Sequence, residues 1–406
     1  MTREEAPQSP VTKQVYWTVL AMAIGWVFIY LDRVLIFPLL PVISIEFELT
    51  DTTTGLIASG YFFFYVLMQI PTGLIGDKYG LKNVLFVMYL VVGIALIGIG
   101  LLSFNYYVLI LFVSLHGFGA GAYYSASYGI TINSVPVNRR GIASAIVTTG
   151  MALGLAVGLS IAGPLAELFD SWRHPFVLLS IPTILIAIFI YLVTKNSEGV
   201  PQPSSGLSID VFRNKDLIVL SLAAFCSLYG YWVLISWAPT YFVLQRGYDL
   251  SSAGQITAIV ALTSIPGALI WGPISDKIGR KKLSIVLLIG ASVAITFIAG
   301  STSNLQVSIA LAIYGLLSAL AWNPVLVAWA GDLASQRGEG AGSAMGLLNA
   351  FAVGSSFIGP ALTGLISDLT GSLASGFYMG AVSLLIGAIL VCFVRETTGN
   401  NKVLIC

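Results

Sequence analysis

One charged, glycine-punctuated string occurs twice in this chain. Gly73-Leu74-Ile75-Gly76-Asp77-Lys78-Tyr79-Gly80-Leu81-Lys82 returns as Gly272-Pro273-Ile274-Ser275-Asp276-Lys277-Ile278-Gly279-Arg280-Lys281, 199 residues later in a chain of 406. Each copy follows a long apolar run and precedes another. A polar turn between two apolar helices, repeated at half the chain length, restricts the fold to two similar halves of membrane-spanning helices.

Composition supports that reading, with 57% hydrophobic and only 9% charged residues against about 25% charged in soluble domains. A helix needs about 20 apolar residues to cross the hydrocarbon layer. Twelve such spans follow one another, at 16–45, 55–75, 83–102, 106–135, 141–168, 175–194, 217–244, 252–272, 283–300, 305–331, 340–366 and 372–394. The expected fold is an all-α membrane protein with 12 transmembrane helices in two pseudo-symmetric six-helix bundles. Its division is a tail at 1–15, a bundle at 16–194, a linker at 195–216, a second bundle at 217–394 and a tail at 395–406. The linker is where Pro, Ser, Gly and charge cluster.

The placement of charge gives the orientation. With the N-terminus cytoplasmic, the inward segments hold 16 of the 19 basic residues; Arg173 and Arg246 fall in outward loops and Arg33 within the first span. Positive charge stays on the cytoplasmic side during insertion, so both termini are expected inside, with the cell membrane as the location. The acidic head, with Glu4 and Glu5, is too short for a cleaved targeting peptide. Cys226, Cys392 and Cys406 are far apart and odd in number, which suits buried small hydrophobes rather than disulfides.

The repeat extends beyond the loop string. Arg140-Gly141 matches Arg337-Gly338, and Gly150, Gly158, Gly163 and Pro164 match Gly346, Gly354, Gly359 and Pro360 at an offset of 196. Small residues at such spacing let helix backbones approach closely in lipid, and packing is their expected role.

Twelve spans in a six-plus-six arrangement, with G-x-x-x-D-[RK]-x-G-x-[RK] in both halves, resemble the major facilitator superfamily. Leu81 departs from the arginine usual in the first copy, beside Lys82; the second copy is complete. The resemblance implies a carrier whose two bundles rock about a central site. It also implies a cytoplasmic gate. Gly73 and Gly272 would allow tight helix contact, and Asp77 and Asp276 would face the positive end of a helix in the other bundle. Arg139, Arg140, Arg280 and Arg337 would be their charged neighbours. Asp332 and Glu339 fall on the same side. Glu167 and Asp170 read as a solvated helix end.

A charge deep in hydrocarbon costs about 2.5–3.5 kcal/mol by insertion scales. Asp32 and Arg33 lie midway along the first span and are therefore functional candidates. Adjacent helix positions point about 100° apart, so one can face a central cavity while the other faces a neighbouring helix such as span four. A guanidinium suits carboxylate recognition, and a carboxylate in a low-dielectric place can take up a proton.

The string Tyr30-Leu31-Asp32-Arg33, with Gln69-Ile70-Pro71-x-Gly73 and Gly346-Leu347-Leu348-Asn349, resembles the anion:cation symporter branch of that superfamily. Carried over by position, Tyr30, Arg33, Tyr65 and Asn349 match substrate-contacting places and Asp32 a protonatable one. That branch often places a glutamate in span four, where this chain has Gly119-Ala120-Gly121-Ala122-Tyr123-Tyr124. Coupling then rests on Asp32 alone, on another ion, or is absent. His116 can titrate, although a lone histidine more often serves structure, as His174 is expected to do.

In the second half the position 199 beyond Arg33 is Trp232. A single interior cation argues for a monoanion. Tyr231, Trp322 and Asn323, with Trp232 and Trp237, are candidates for the opposite wall, and Pro239 and Pro324 for kinks. The expected function is secondary active transport of a small organic anion, a monocarboxylate or sugar acid, by alternating access with proton symport. No HExxH, GxSxG, P-loop or metal-ligand spacing is present, so no enzyme, cofactor or metal is expected. The expected partners are the lipid bilayer, an anionic small molecule and H+, with no nucleic acid, and the expected state is a monomer. The alternatives are a drug or metabolite efflux antiporter and a transporter-like sensor. Gly163-Pro164 partly resembles the antiporter motif, a match broken by Leu165-Ala166-Glu167.

Overall fold

In lipid a backbone must satisfy its own hydrogen bonds, so long apolar runs become helices. The computed structural model describes residues 13–136, 139–194, 209–301 and 303–398. Twelve helical spans there are long and apolar enough to cross a membrane. The first is α1 (Lys13–Val34), a 3-10 turn (Phe37–Leu39) and α2 (Leu40–Glu46). Then come α3 (Asp51–Tyr79), α4 (Leu81–Leu102), α5 (Tyr106–Ser134), α6 (Arg140–Leu168) and α7 (His174–Val193). The second half is α8 (Lys215–Arg246), α9 (Leu250–Ile278), α10 (Arg280–Gly300), α11 (Asn304–Leu317) with α12 (Ala319–Ser335), α13 (Ala341–Thr370) and α14 (Ala374–Cys392). Most of the expected tails and linker, Cys406 and the side chain of Asp77 lie outside the described residues. The last part of that linker is packed: Ile209–Arg213 forms a 3-10 turn with Val211 fully buried, and Asn214 caps α8.

Local chemistry explains the breaks. Pro38 and Pro41 remove amide donors where span one gives way to its 3-10 turn. Span ten is interrupted at Ser318, whose ψ of 173° is extended, while α8 and α12 run unbroken through Pro239 and Pro324. The repeated loop has a backbone requirement. Gly80 (φ 88°) and Gly279 (φ 102°) are single-residue turns joining α3 to α4 and α9 to α10. Side-chain-bearing residues rarely adopt that conformation.

Helices in lipid gain little from hydrophobic association and rely on close packing. A Cβ on Gly158 of α6 would lie 2.6 Å from the Leu31 carbonyl oxygen of α1, and one on Gly163 2.6 Å from that of Leu250. Their repeat partners sit looser: Gly354 has nothing within 4 Å of such a Cβ, and Gly359 only ordinary contact at 3.5 Å. These two repeated positions are thus alike in sequence and unlike in tightness. Leu192 (74% exposed) and Leu269 (73%) face outward, an apolar exterior suited to lipid and not to water. Cys226 is half-buried and Cys392 exposed on this surface, which corrects the expectation that both are buried.

The halves meet mainly through α3 on α13 and α6 on α9. The end bearing Gly80, Arg140, Gly279 and Arg337 is called the basic end below. At the opposite, far end, two carboxylates cap helices of the other half. Asp368 of α13 accepts from the Asp51 and Thr52 amides of α3, both at 2.9 Å, and from the Thr52 hydroxyl. Glu167 of α6 accepts from the Ser251 amide of α9 at 3.1 Å and from its hydroxyl at 2.5 Å. Glu167 is therefore a cross-bundle cap rather than a solvated end. A carboxylate at a helix N-terminus satisfies free amides and complements the dipole.

At the basic end, the ion pairs of the described residues stay inside the second half: Arg280–Asp332 (2.8 Å), Arg280–Asp276 (3.5 Å) and Arg395–Asp216 (2.9 Å). Glu396 caps α10 through the Arg280 and Lys281 amides. Partial burial pushes its carboxyl up, but donors from Thr398, Lys281 and Thr397 prevail and hold it below the usual range.

Gly158→Val should lower the thermal midpoint in detergent, consistent with about 1–3 kcal/mol for overpacking. Gly354→Ala should leave it unchanged or raise it, since helical glycine costs about 0.5–1 kcal/mol relative to alanine.

Candidate functional site

Between the halves lies a cavity of about 240 Å³, walled by α1, α3, α5 and α6 on one side and α8, α12 and α13 on the other. Tyr30, Arg33, Tyr65, Tyr231, Trp322, Asn323 and Asn349, the seven substrate candidates from the sequence, all border it. Tyr30 and Arg33 are three apart and so share a helix face. Among the described residues Arg33 is the charged side chain on this wall.

Arg33 is 3% exposed. Its guanidinium carbon lies 4.3 Å from the Tyr30 ring centroid and 4.2 Å from that of Tyr65. These are cation–π distances. Its Nε donates to the Tyr61 hydroxyl at 2.9 Å, and Nη2 is buried without a partner. Nε is occupied and Nη2 is buried, yet Arg33 borders the cavity and makes no ion pair among the described residues. A guanidinium so placed can receive a planar carboxylate or another oxyanion.

The remaining wall is neutral. The Trp322 indole donates to Ser284 at 2.7 Å, away from the cavity, so its ring forms the surface. The Tyr231 hydroxyl is buried and unpartnered. Asn349 donates to Gln69 at 3.2 Å, bridging the halves, and Phe62 meets Trp232 at 4.5 Å between ring centroids. Trp237 is not part of this wall, because its indole donates to the Pro360 carbonyl.

Asp32 does not border the cavity. It is 1% exposed, and its Oδ2 accepts from Thr183 of α7 at 2.8 Å. The 100° turn between adjacent residues sends it behind Arg33. Of the gate residues, Asp276 and Arg280 are brought together with Asp332. Arg140 donates to the Val135 carbonyl, and Arg139 borders an apolar groove between α1 and α6. A Cβ on Gly73 or Gly272 would find only ordinary contact, at 3.7 Å in each case.

Sequence reasoning missed Tyr61, Tyr124 and Tyr128 and did not assign Gln69 to the site. The signal was spacing: Tyr61 and Tyr65, like Tyr124 and Tyr128, are four apart and stack on one helix face. No cluster of metal-ligating side chains occurs among the described residues.

An internally repeated twelve-helix bundle with a polar cavity at the junction of its halves is the architecture of a membrane carrier. The sequence matches the Major Facilitator Superfamily profile over residues 22–343 and 220–404. It is 27% identical to a hexuronate transporter of Bacillus subtilis (strain 168), over 94% of this chain and 95% of that one. It is 26% identical to a probable sulfoacetate transporter of Cupriavidus necator, over 92% of each. The crystal structure of a D-xylose-proton symporter superposes with a TM-score of 0.80 at 15% identity, covering 95% of this chain and 99% of that one. The chain belongs to the Major Facilitator Superfamily.

Tyr61→Phe leaves a buried Arg33 donor unpaired, a loss of about 1–3 kcal/mol. A lowered melting temperature in detergent, without loss of helix content, is the expected result.

Proposed function

We propose that this protein is a secondary active carrier for a small organic anion, working by alternating access with proton symport. In this reading it is a monomer in the cell membrane with both termini cytoplasmic. The observation that carries it is Arg33, one buried cation on an otherwise neutral cavity wall, flanked there by the rings of Tyr30 and Tyr65 rather than by a carboxylate. A cation on the wall with no carboxylate against it attracts an anionic guest locally. A single cation suits one negative group, with amides and hydroxyls left for the polar remainder of a sugar acid. The similarity to a transporter named for a hexuronate, a monoanion, supports the same chemistry, and that to one named for sulfoacetate, a dianion, supports an anionic cargo.

The orientation rests on the positive-inside rule, with the basic end cytoplasmic. The described shape then corresponds to an inward-facing state, because the cross-bundle caps of Asp368 and Glu167 close the far end. In the alternate state those caps release and the basic-end gate forms, with Asp77, Asp276 and the neighbouring arginines as its parts.

Two experiments test this. Arg33→Gln should weaken binding of hexuronates, tartrate or sulfoacetate by about ten- to hundredfold. That follows from losing about 1.5–3 kcal/mol of charge-assisted hydrogen bonding. Thermal-shift titration of purified protein reads it, and undiminished binding of a ligand that stabilises the wild type sinks the assignment. Asp368→Ala combined with Glu167→Ala removes both caps, each worth about 0.5–2 kcal/mol. Spin labels at positions 107 and 305 should then report longer far-end distances; an unchanged distribution counts against the capping account.

A further inference from the structure

A second, smaller space lies behind Arg33. Its volume is about 10 Å³, room for about one water. Arg33 borders both this void and the central cavity. Three of the residues around the void carry a buried polar atom with no partner: Asp32 Oδ1, Arg33 Nη2 and His116 Nε2. All three side chains are almost wholly buried, at 1%, 3% and 2% exposed. The rest of the lining is largely apolar, with Ile99, Val113 and Phe176. Leaving such groups unsatisfied costs about 1–3 kcal/mol each. One water can accept from Arg33 and donate to both Asp32 and His116, which answers all three.

We propose that His116 and Asp32, bridged by a single water in this void, share the transported proton, so that His116 is the second member of a coupling site set behind Arg33. The proposal rests on the anion-carrier reading above. A proton arriving on Asp32 breaks no other bond. It can pass through the water to His116 Nε2 as the water takes a replacement proton from Asp32, and nothing is oxidised or reduced.

Charge balance gives the site its coupling. Asp32 ionised, Arg33 charged and His116 neutral sum to zero. A proton alone leaves the interior at plus one, and a monoanion in the central cavity alone leaves it at minus one. Both together restore zero. A low-dielectric interior penalises unbalanced charge, so the doubly loaded and empty states are favoured, with one proton moved per anion. The other titratable groups around the pair are Tyr61 of α3, whose ring meets His116 at 5.1 Å between centroids and stacks on Tyr65, and Tyr89 of α4, which lies near Asp32 and donates to the Gly25 carbonyl. α6 and α7 bring no titratable side chain to the void among the described residues.

The test uses full-length protein in liposomes with D-galacturonate as the hexuronate probe. In His116→Gln, uptake driven by a pH gradient should fall relative to exchange by about tenfold, the change that one unit of altered proton affinity produces. An unchanged ratio and pH profile overturn the proposal. A second readout needs no cargo. The infrared band of protonated Asp32, identified by its loss in Asp32→Asn, should shift its pH midpoint in His116→Gln by about one unit; identical midpoints overturn the proposal whatever the carrier transports. Failure of wild type to move any anion, with the band shift present, sinks the anion reading alone. If His116→Gln does not fold, the chain's two histidines allow a third measurement. Nitrogen-labelled His174→Gln protein leaves one imidazole, which should titrate in step with the Asp32 band. A ring indifferent both to pH and to Asp32→Asn refutes the shared proton.

Discussion

The structure is organised around keeping one guanidinium in a place that disfavours it. A charge at mid-membrane costs several kcal/mol unless its field is answered. Here the answer comes from aromatic rings and one tyrosine hydroxyl rather than from a carboxylate partner. Tyr30 and Tyr65 flank the cation and Tyr61 takes its Nε, while Asp32, its chain neighbour, is turned to Thr183. Had Asp32 paired directly with Arg33, the guanidinium's donors would be spent on it and less of its field would reach the cavity. Cation–π contact holds the charge without cancelling it.

The scaffold makes that arrangement possible by putting small residues where helices cross. The first half packs α1 tightly on α6 through Gly158, which fixes the helix carrying Arg33. The corresponding glycines of the second half have room around them. The second half uses other glycines for close approach, among them Gly267 against Leu316 and Gly315 against Val260, a difference that the repeat itself does not announce. The far end adds a second symmetry, in which each half lends one carboxylate to cap a helix of the other. Such caps are local hydrogen bonds between groups that water can also satisfy.

Much of this was legible in the residues. The apolar runs gave twelve spans, and the repeated loop gave two halves, because both depend on chemistry local to a segment. The last glycine of each loop copy is readable too, once its turn needs positive φ. Tyr30, Arg33, Tyr65 and Asn349 were legible through motif position and the rarity of charge in a span, whereas Tyr231, Trp322 and Asn323 came from a wider choice of second-half aromatics and an amide, of which Trp237 lies off the wall. What escaped was partnership. Glu167 read as a solvated end because its acceptor role depends on Ser251, 84 residues away. Tyr61 read as one more aromatic in a greasy helix until Arg33 was seen to reach it.

The sequence by itself determined that the chain is a membrane-embedded pair of six-helix bundles. Hydropathy and helix length are set by the bilayer and need no knowledge of neighbours. It also determined that a lone arginine would be the electrostatic focus, since no other basic residue falls deep in a span. Only the tertiary structure decided which way each member of the Asp32-Arg33 pair points, and that the carboxylate shares a separate void with His116 while the guanidinium looks into the cavity. A rotation of about 100° between adjacent residues says the two must diverge. Which helix stands opposite each is fixed by packing across more than a hundred residues of chain, and no local pattern encodes that.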